Sequence, residues 1–179
     1  DDGWHVVIGY RERSDAADAL VDSLGGHASA LAGDVAREEE VLRMFATIDE
    51  RHGRLDALVN NAGIVAPATR VADMGGERIQ RIFATNVLGA FYCAREAVRR
   101  MSTSNGGRGG AIVNVSSVAA KHGASFEYVD YAASKGAVDT MTVGLAKEVA
   151  TEGIRVNSVR PGLIETEIHA SGGAPDRVE

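Results

Sequence analysis

The chain has 179 residues, with 25 acidic side chains against 19 Lys and Arg and a net charge of −6, a length suited to one domain with its own core. That charge offers nothing to a nucleic-acid polyanion or an anionic membrane surface, and one cysteine with five histidines cannot build a disulfide framework or a cysteine-rich zinc site. Glycine, at 21 residues, exceeds the usual share of about 7%, while an apolar fraction of 45% fits a folded domain with many tight turns rather than a disordered chain.

The first residues are not a basic region leading into a long apolar segment, so the expectation is a cytoplasmic chain with neither signal peptide nor membrane span. His5–Tyr10 reads as a buried strand, because Val6, Val7 and Ile8 are consecutive β-branched residues. Ser14 precedes a helix carrying Ala16, Ala19, Leu20 and Leu24 on one face and ending at Gly25 and Gly26. A weaker strand covers Ala28–Ala32. Asp34 is the expected cap of a helix whose stripe is Val41, Met44, Phe45 and Ile48. Leu55–Asn60 is a third strand. From Glu77 to Met101 the periodicity of Ile79, Ile82, Phe83, Val87, Phe91 and Val98 predicts one long helix.

Ser102–Gly110 reads as a loop, Ala111–Val115 as a strand ending at Ser116 and Ser117, and the stretch around Tyr131–Leu145 as a helix. Ile154–Val159 is the last clear strand, cut by Pro161 and Gly162. Five short apolar strands alternating with helices predict an α/β fold with a parallel sheet covered on both faces. Neither an internal repeat nor a linker is visible, so residues 1–179 are read as one domain.

Tyr131 and Lys135 stand four apart and share a helix face. A cation beside a phenol favours phenolate and lowers its pKa toward a useful acid/base range, although Tyr and Lys at this spacing also occur on ordinary solvated faces. Ser117 closes a strand at the carboxyl edge of the sheet, where sites form, and its hydroxyl suits the same substrate oxygen. Asn60, Asn61, Ala62 and Gly63 follow another strand end, where glycine permits close approach of a ligand; a simple turn explains them equally well. Asn86 lies in an apolar helix and needs a partner if buried, as a satisfied core amide or as a holder of a relay water.

Together, Asn60-Asn61-Ala62-Gly63, Asn86, Ser117, Tyr131-x-x-x-Lys135 and Pro161-Gly162 after a strand resemble the short-chain dehydrogenase/reductase family, over Asp1 to about Ser171. The texture of Tyr131–Gly136 and Ile154–Asn157 is similar to the branch of sugar dehydrogenases and 3-oxoacyl-carrier-protein reductases. The resemblance implies a Rossmann-type doubly wound sheet and hydride transfer between a nicotinamide cofactor and a small carbonyl or secondary alcohol. It makes Tyr131 the acid/base, Ser117 the holder of the substrate oxygen, and Lys135 the group that lowers the Tyr131 pKa and bonds the nicotinamide ribose. Asn86 then positions a relay water. Asp34 and Val35 contact adenine, Asn60, Asn61, Ala62 and Gly63 line the adenosine and ribose region, and Pro161, Gly162, Ile164 and Thr166 cradle the nicotinamide and phosphates. Tyr128 is no alternative acid, since Ala132 stands four residues later.

At the end of the first strand Tyr10 and Arg11 occupy the place where enzymes of this kind that use NAD carry an acid. The expected cofactor is therefore NADP rather than NAD, with Glu12 weakening the case. The family's first strand and Gly-rich pyrophosphate turn have no counterpart before Asp1, and its last strand has none after residue 179. The sheet is accordingly expected to show a gap between the Val6 and Leu55 strands, and the biological chain to be nearer 250 residues. A homotetramer or dimer is a further implication. The contrasting function is a non-catalytic remnant that keeps the site residues without a working dinucleotide half. Lys121, His122, Glu127 and Asp130 in the loop before Tyr131 slightly favour a hydroxylated substrate over a long acyl chain, leaving sugar dehydrogenase against acyl reductase unresolved.

Overall fold

A computed structural model of the chain describes residues 3–164 and 172–173. The β-branched run forms β1 (Val6–Tyr10), which pairs in parallel with β2 (Ala28–Ala32), Val6 opposite Ala28 and Tyr10 opposite Ala32. Between them α1 (Ser14–Ser23) makes the crossover. The strands β3 (Ala57–Asn60), β4 (Gly110–Val115) and β5 (Ile154–Val159) form a second parallel sheet in the order β3-β4-β5, with Ala57 opposite Ala111 and Gly110 opposite Ile154. Parallel strands joined by helices are the Rossmann-type doubly wound arrangement.

The ladder is broken where the sequence reading places a gap. β1 pairs with β2 and β3 with β4, and no ladder joins β1 to β3. Apolar side chains beside this break remain open to solvent: Val6 is 44% and Val59 61% exposed. Strand edges of this kind leave backbone donors and acceptors without ladder partners.

The larger core lies between β4, β5 and the helices α2 (Glu38–His52) and α4 (Gly89–Met101). Val41, Ala97, Met101 and Ile112 are completely buried there, with Phe45, Ile154 and Val156 packed around them. Each large apolar side chain removed from water contributes about 1.5–3 kcal/mol. Arg100 ties the same helices at their surface, bonding Asp49 of α2 at 2.6 Å and Glu96 of its own helix at 3.0 Å.

Two expectations are corrected. Asp34 does not cap α2, which starts at Glu38; its Oδ1 accepts the Ala36 N–H at 2.9 Å in a local turn, while Glu40 reaches back to accept the Asp34 N–H at 2.8 Å. The helix expected from Glu77 to Met101 is three pieces in one rod: α3 (Gly76–Phe83), a π turn over Ala84–Leu88, and α4. The apolar stripe gives no sign of that turn, which seats the buried side chain of Asn86. The remaining helices are the short α5 (Ala119–His122) and the long α6 (Val129–Glu148). Among the described residues no helix is long and apolar enough to cross a membrane.

Candidate active site

Parallel strands present all their carboxyl ends along one edge of a sheet, and residues far apart in sequence meet there. Tyr10 and Arg11 end β1, Asp34 and Val35 follow β2, Asn60–Gly63 end β3, Ser116 and Ser117 follow β4, and Pro161, Gly162 and Ile164 follow β5. Thr166 lies outside the described residues. The N-terminal half of α6 brings Tyr131 and Lys135 to the same edge of the larger sheet, behind Ser117.

The structure brings the phenol, the ammonium and the strand-end hydroxyl together. Ser117 lies near enough to the Tyr131 phenol to favour its ionised form, and its Oγ accepts the Ala119 N–H at 3.1 Å as α5 begins. The Lys135 Nζ donates to the Val115 carbonyl at 2.7 Å and stands 5.7 Å from the centre of the Tyr131 ring. Tyr128 meets that ring edge-on at 5.7 Å and packs against the phenol. Gly63 closes the site from the β3 side: a Cβ there would lie 3.2 Å from the Lys135 Nζ and 3.5 Å from the Asn86 Oδ1.

The electrostatics depart from the expectation that Lys135 lowers the Tyr131 pKa. Burial dominates and holds the phenol above its ordinary value, with the nearby Ser117 hydroxyl working in the opposite sense. Burial pushes Lys135 down to about 8, opposed by the carboxylate of Asp139 one turn further on. Desolvation penalises the charged form of each group more than Ser117 and Asp139 favour it. Burial therefore keeps Tyr131 a neutral phenol at neutral pH.

Asn86, 1% exposed, uses its whole side chain. Its Oδ1 accepts the Ile64 N–H at 2.8 Å, and its Nδ2 donates to the Ile64 carbonyl at 2.9 Å and to the Ser134 Oγ at 3.0 Å. Ser134 in turn donates to the Tyr131 carbonyl at 2.7 Å. The amide thus joins the loop after β3 to the turn of α6 that carries the phenol. π turns in otherwise α-helical rods are common at functional sites, and this one seats that amide.

Asn60 and Val35 have structural neighbours of their own. The Asn60 Nδ2 donates to the Asn114 Oδ1 at 2.9 Å, and the Asn114 Nδ2 donates to the Thr142 Oγ1 at 2.9 Å, a buried polar chain across β3, β4 and α6. Val35 lies against Gly89, where a Cβ would come within 2.8 Å of its Cγ2. Val35, Asn60, Ala62, Gly89, Ala90 and Cys93 line one small cavity. Asn61 is exposed beside it, its N–H bonded to the Val59 carbonyl in a tight turn. Arg11 is half exposed and paired with Glu12 at 2.7 Å.

Several residues escaped the sequence reading. Asn114 was marked only by being polar within an apolar strand, and Ser134 only by standing three residues after Tyr131. Asp130, counted as part of the substrate-facing loop, is instead buried, its side chain 2% exposed and paired with Arg78 at 2.7 Å. A short carboxylate preceding the phenol gave no means of finding a guanidinium 52 residues away.

A sequence profile of the short chain dehydrogenases matches residues 1–176. The chain is 54% identical over 181 residues to an Escherichia coli protein described as the uncharacterized oxidoreductase YgfF, covering 99% of this chain and 73% of that protein. It is 38% identical to a 3beta-hydroxysteroid dehydrogenase of Mediterraneibacter gnavus, covering 91% of this chain and 58% of the relative. A 3-oxoacyl-acyl-carrier-protein reductase of Synechocystis is 37% identical over 93% of this chain and 66% of its own length. The chain thus spans between 58% and 73% of the length of these three proteins. With the profile matched over nearly its whole length and the phenol, ammonium and hydroxyl gathered at one sheet edge, the chain belongs to the short-chain dehydrogenase family of NAD(P)-dependent oxidoreductases.

Proposed function

We propose that this protein is a cytoplasmic oxidoreductase that transfers a hydride between NADP(H) and a small carbonyl or secondary alcohol. The observation that carries the reading is the buried Tyr131 phenol, kept neutral by burial, with Ser117 near enough to act on it and Lys135 beside its ring. In the reducing direction Ser117 and Tyr131 grip one carbonyl oxygen, and the phenol gives that oxygen its proton. Lys135, fixed on the Val115 carbonyl, lies close enough for its cation to stabilise the phenolate left behind. Bound NADPH supplies the hydride.

The residues present fit such a cofactor. Gly63 keeps open the space above Lys135 and Asn86 that a side chain would fill, Lys135 is available for the ribose, and Pro161, Gly162 and Ile164 flank the nicotinamide end. Val35 and Asn60–Ala62 line the adenosine side, with Asp34 beside them. At the end of β1, Tyr10 and Arg11 favour a 2′-phosphate over a free hydroxyl. The Arg11–Glu12 pair is exposed and therefore weak, so the guanidinium is free to turn to a phosphate.

Assays with a panel of ketones, keto-esters and sugars, using NADPH and NADH, test the reading, with Tyr131→Phe as control. NADPH-dependent turnover lost in that variant supports it; undiminished turnover removes Tyr131 from the acid role. For substrate class, the exposed Phe126, at 76%, and the burial of Asp130 shift the balance from sugars toward apolar carbonyls, in line with the steroid and oxoacyl names of two relatives. Exposed Leu88, Phe91 and Val143 on the π turn, α4 and α6 support a homotetramer or dimer, which light scattering checks. The broken ladder between β1 and β3 favours one second reading, a non-catalytic remnant; it predicts no saturable signal when NADPH binding is followed by fluorescence.

A further inference from the structure

Arg78 lies in the first turn of α3 and Asp130 in the first turn of α6. Their contact is two-pronged: Arg78 Nε donates to Asp130 Oδ2 at 2.7 Å and Nη2 to Oδ1 at 3.3 Å. The third prong, Nη1, donates to the Pro67 carbonyl at 2.5 Å. On the other side, Asp130 Oδ1 accepts the backbone N–H of Tyr131 at 2.9 Å. The pair is well removed from water, with side chains 16% and 2% exposed.

Planar guanidinium and carboxylate groups joined this way fix orientation as well as separation, which a point charge does not. One set of bonds therefore runs from the Pro67 loop through Arg78 and Asp130 into the peptide group of Tyr131. A neighbouring bond reinforces it, the Thr69 N–H donating to the Glu127 carbonyl at 2.8 Å. The loop after β3 is thus held to α6 at two places on either side of the phenol: by the Asn86–Ser134 bonds after Tyr131 and by the Arg78–Asp130 pair before it.

We propose that Arg78 and Asp130 are positioning residues that hold the Tyr131 phenol in register with Ser117 and act on the chemical step rather than on cofactor binding. The proposal rests on the oxidoreductase reading, because its main effect is on turnover. Small displacements of a reacting group cost up to about 100-fold in rate, so loss of the fork lowers kcat and leaves the Kd for NADPH alone.

Arg78→Lys tests this directly, since it keeps the cation and removes the fork. It is expected to lower kcat at least tenfold, with the Kd for NADPH within twofold and Tm within a few degrees of the wild type. A paired variant, Arg78→Met with Asp130→Leu, replaces both charges by apolar groups and guards against simple unfolding. Its kcat is expected to stay at least tenfold down even where Tm matches the wild type. A kcat that follows Tm across these variants, or a Kd that worsens by the same factor as kcat, overturns the proposal.

If wild-type protein turns over nothing in the carbonyl panel, the oxidoreductase reading fails, and hydrogen exchange at the Tyr131 amide decides the clamp alone. That amide is expected to exchange at least tenfold faster in Arg78→Lys than in the wild type. Equal rates overturn the proposal.

Discussion

The Lys135 ammonium is fixed to the Val115 carbonyl at 2.7 Å, so the last residue of β4 decides where the cation beside Tyr131 sits. The ammonium stands 5.7 Å from the centre of the phenol ring, in surroundings dry enough that both groups resist ionisation. The behaviour of the site follows from that placement.

Removing the phenol hydroxyl in Tyr131→Phe leaves the ring packing against Tyr128 intact and deletes the group proposed as the proton donor. General acid catalysis contributes about 10²–10⁴-fold. Turnover is expected to fall by that order while the Kd for NADPH changes less than twofold, as steady-state kinetics and a fluorescence titration will show.

Lys135 ties stability to pH with a definite sign. Its pKa is about 8 in the folded chain against an ordinary 10.5, so between those values the unfolded chain binds more protons and stability rises with pH, by at most about 1.4 kcal/mol per unit. Cys93, pushed up to about 11 by burial, has the opposite slope above the ordinary thiol range, and Tyr131 does the same above pH 10. Urea unfolding from pH 7.5 to 9.5 in a Cys93→Ala background is therefore the clean comparison. Stability should climb there, and adding Lys135→Met should flatten the climb; the same slope in both backgrounds rules out Lys135 as its source.

Gly63→Ala brings a methyl group to within 3.2 Å of the Lys135 Nζ, so the ammonium or the loop has to move. Overpacking of this kind costs about 1–3 kcal/mol. Tm should drop accordingly and kcat fall by about tenfold or more; a variant equal to wild type in both would show that the loop gives way freely.

Cofactor preference is expected to follow Arg11. Arg11→Ala should raise KM for NADPH by roughly tenfold, the loss of about one charge-assisted contact, with little change for NADH. Glu12→Gln, which frees the guanidinium, should improve NADPH binding slightly. Equal effects on the two cofactors would place the 2′-phosphate elsewhere.

Asn86→Leu is expected to be the most damaging change near the site. It leaves the Ile64 N–H and carbonyl and the Ser134 hydroxyl without their present partner, and each unsatisfied buried group costs about 1–3 kcal/mol. Thermal unfolding should show a loss of several kcal/mol, accompanied by faster hydrogen exchange at Ile64.

The strands and most helices were legible because their signals are local. Val6–Ile8 and Ile154–Val159 announce themselves as apolar runs, and the alternation of strand and helix specifies parallel pairing. Ser117, Tyr131 and Lys135 were legible because strand-end position and a four-residue step are one-dimensional properties. The π turn was not, since the bonds of the amide it seats reach from Asn86 to a backbone 22 residues earlier. Nor was the raised phenol pKa: a spacing of four reveals a neighbouring cation, whereas the dominant influence on Tyr131 is the burial created by its whole surroundings. Asp130 was misread for the same reason, as its charge is visible in the sequence and its partner is not.

The π turn at Ala84–Leu88 also makes the rod tolerant of a change in residue count at that one place. A π turn accommodates about one residue more than an α turn, so deleting one residue there would let the rod close as a regular α-helix with everything after it facing as before. Cys93, Ala97 and Met101 would keep their face toward Phe45 and Ile112, and what would be lost is the local widening that seats the Asn86 amide against Ile64 and Ser134.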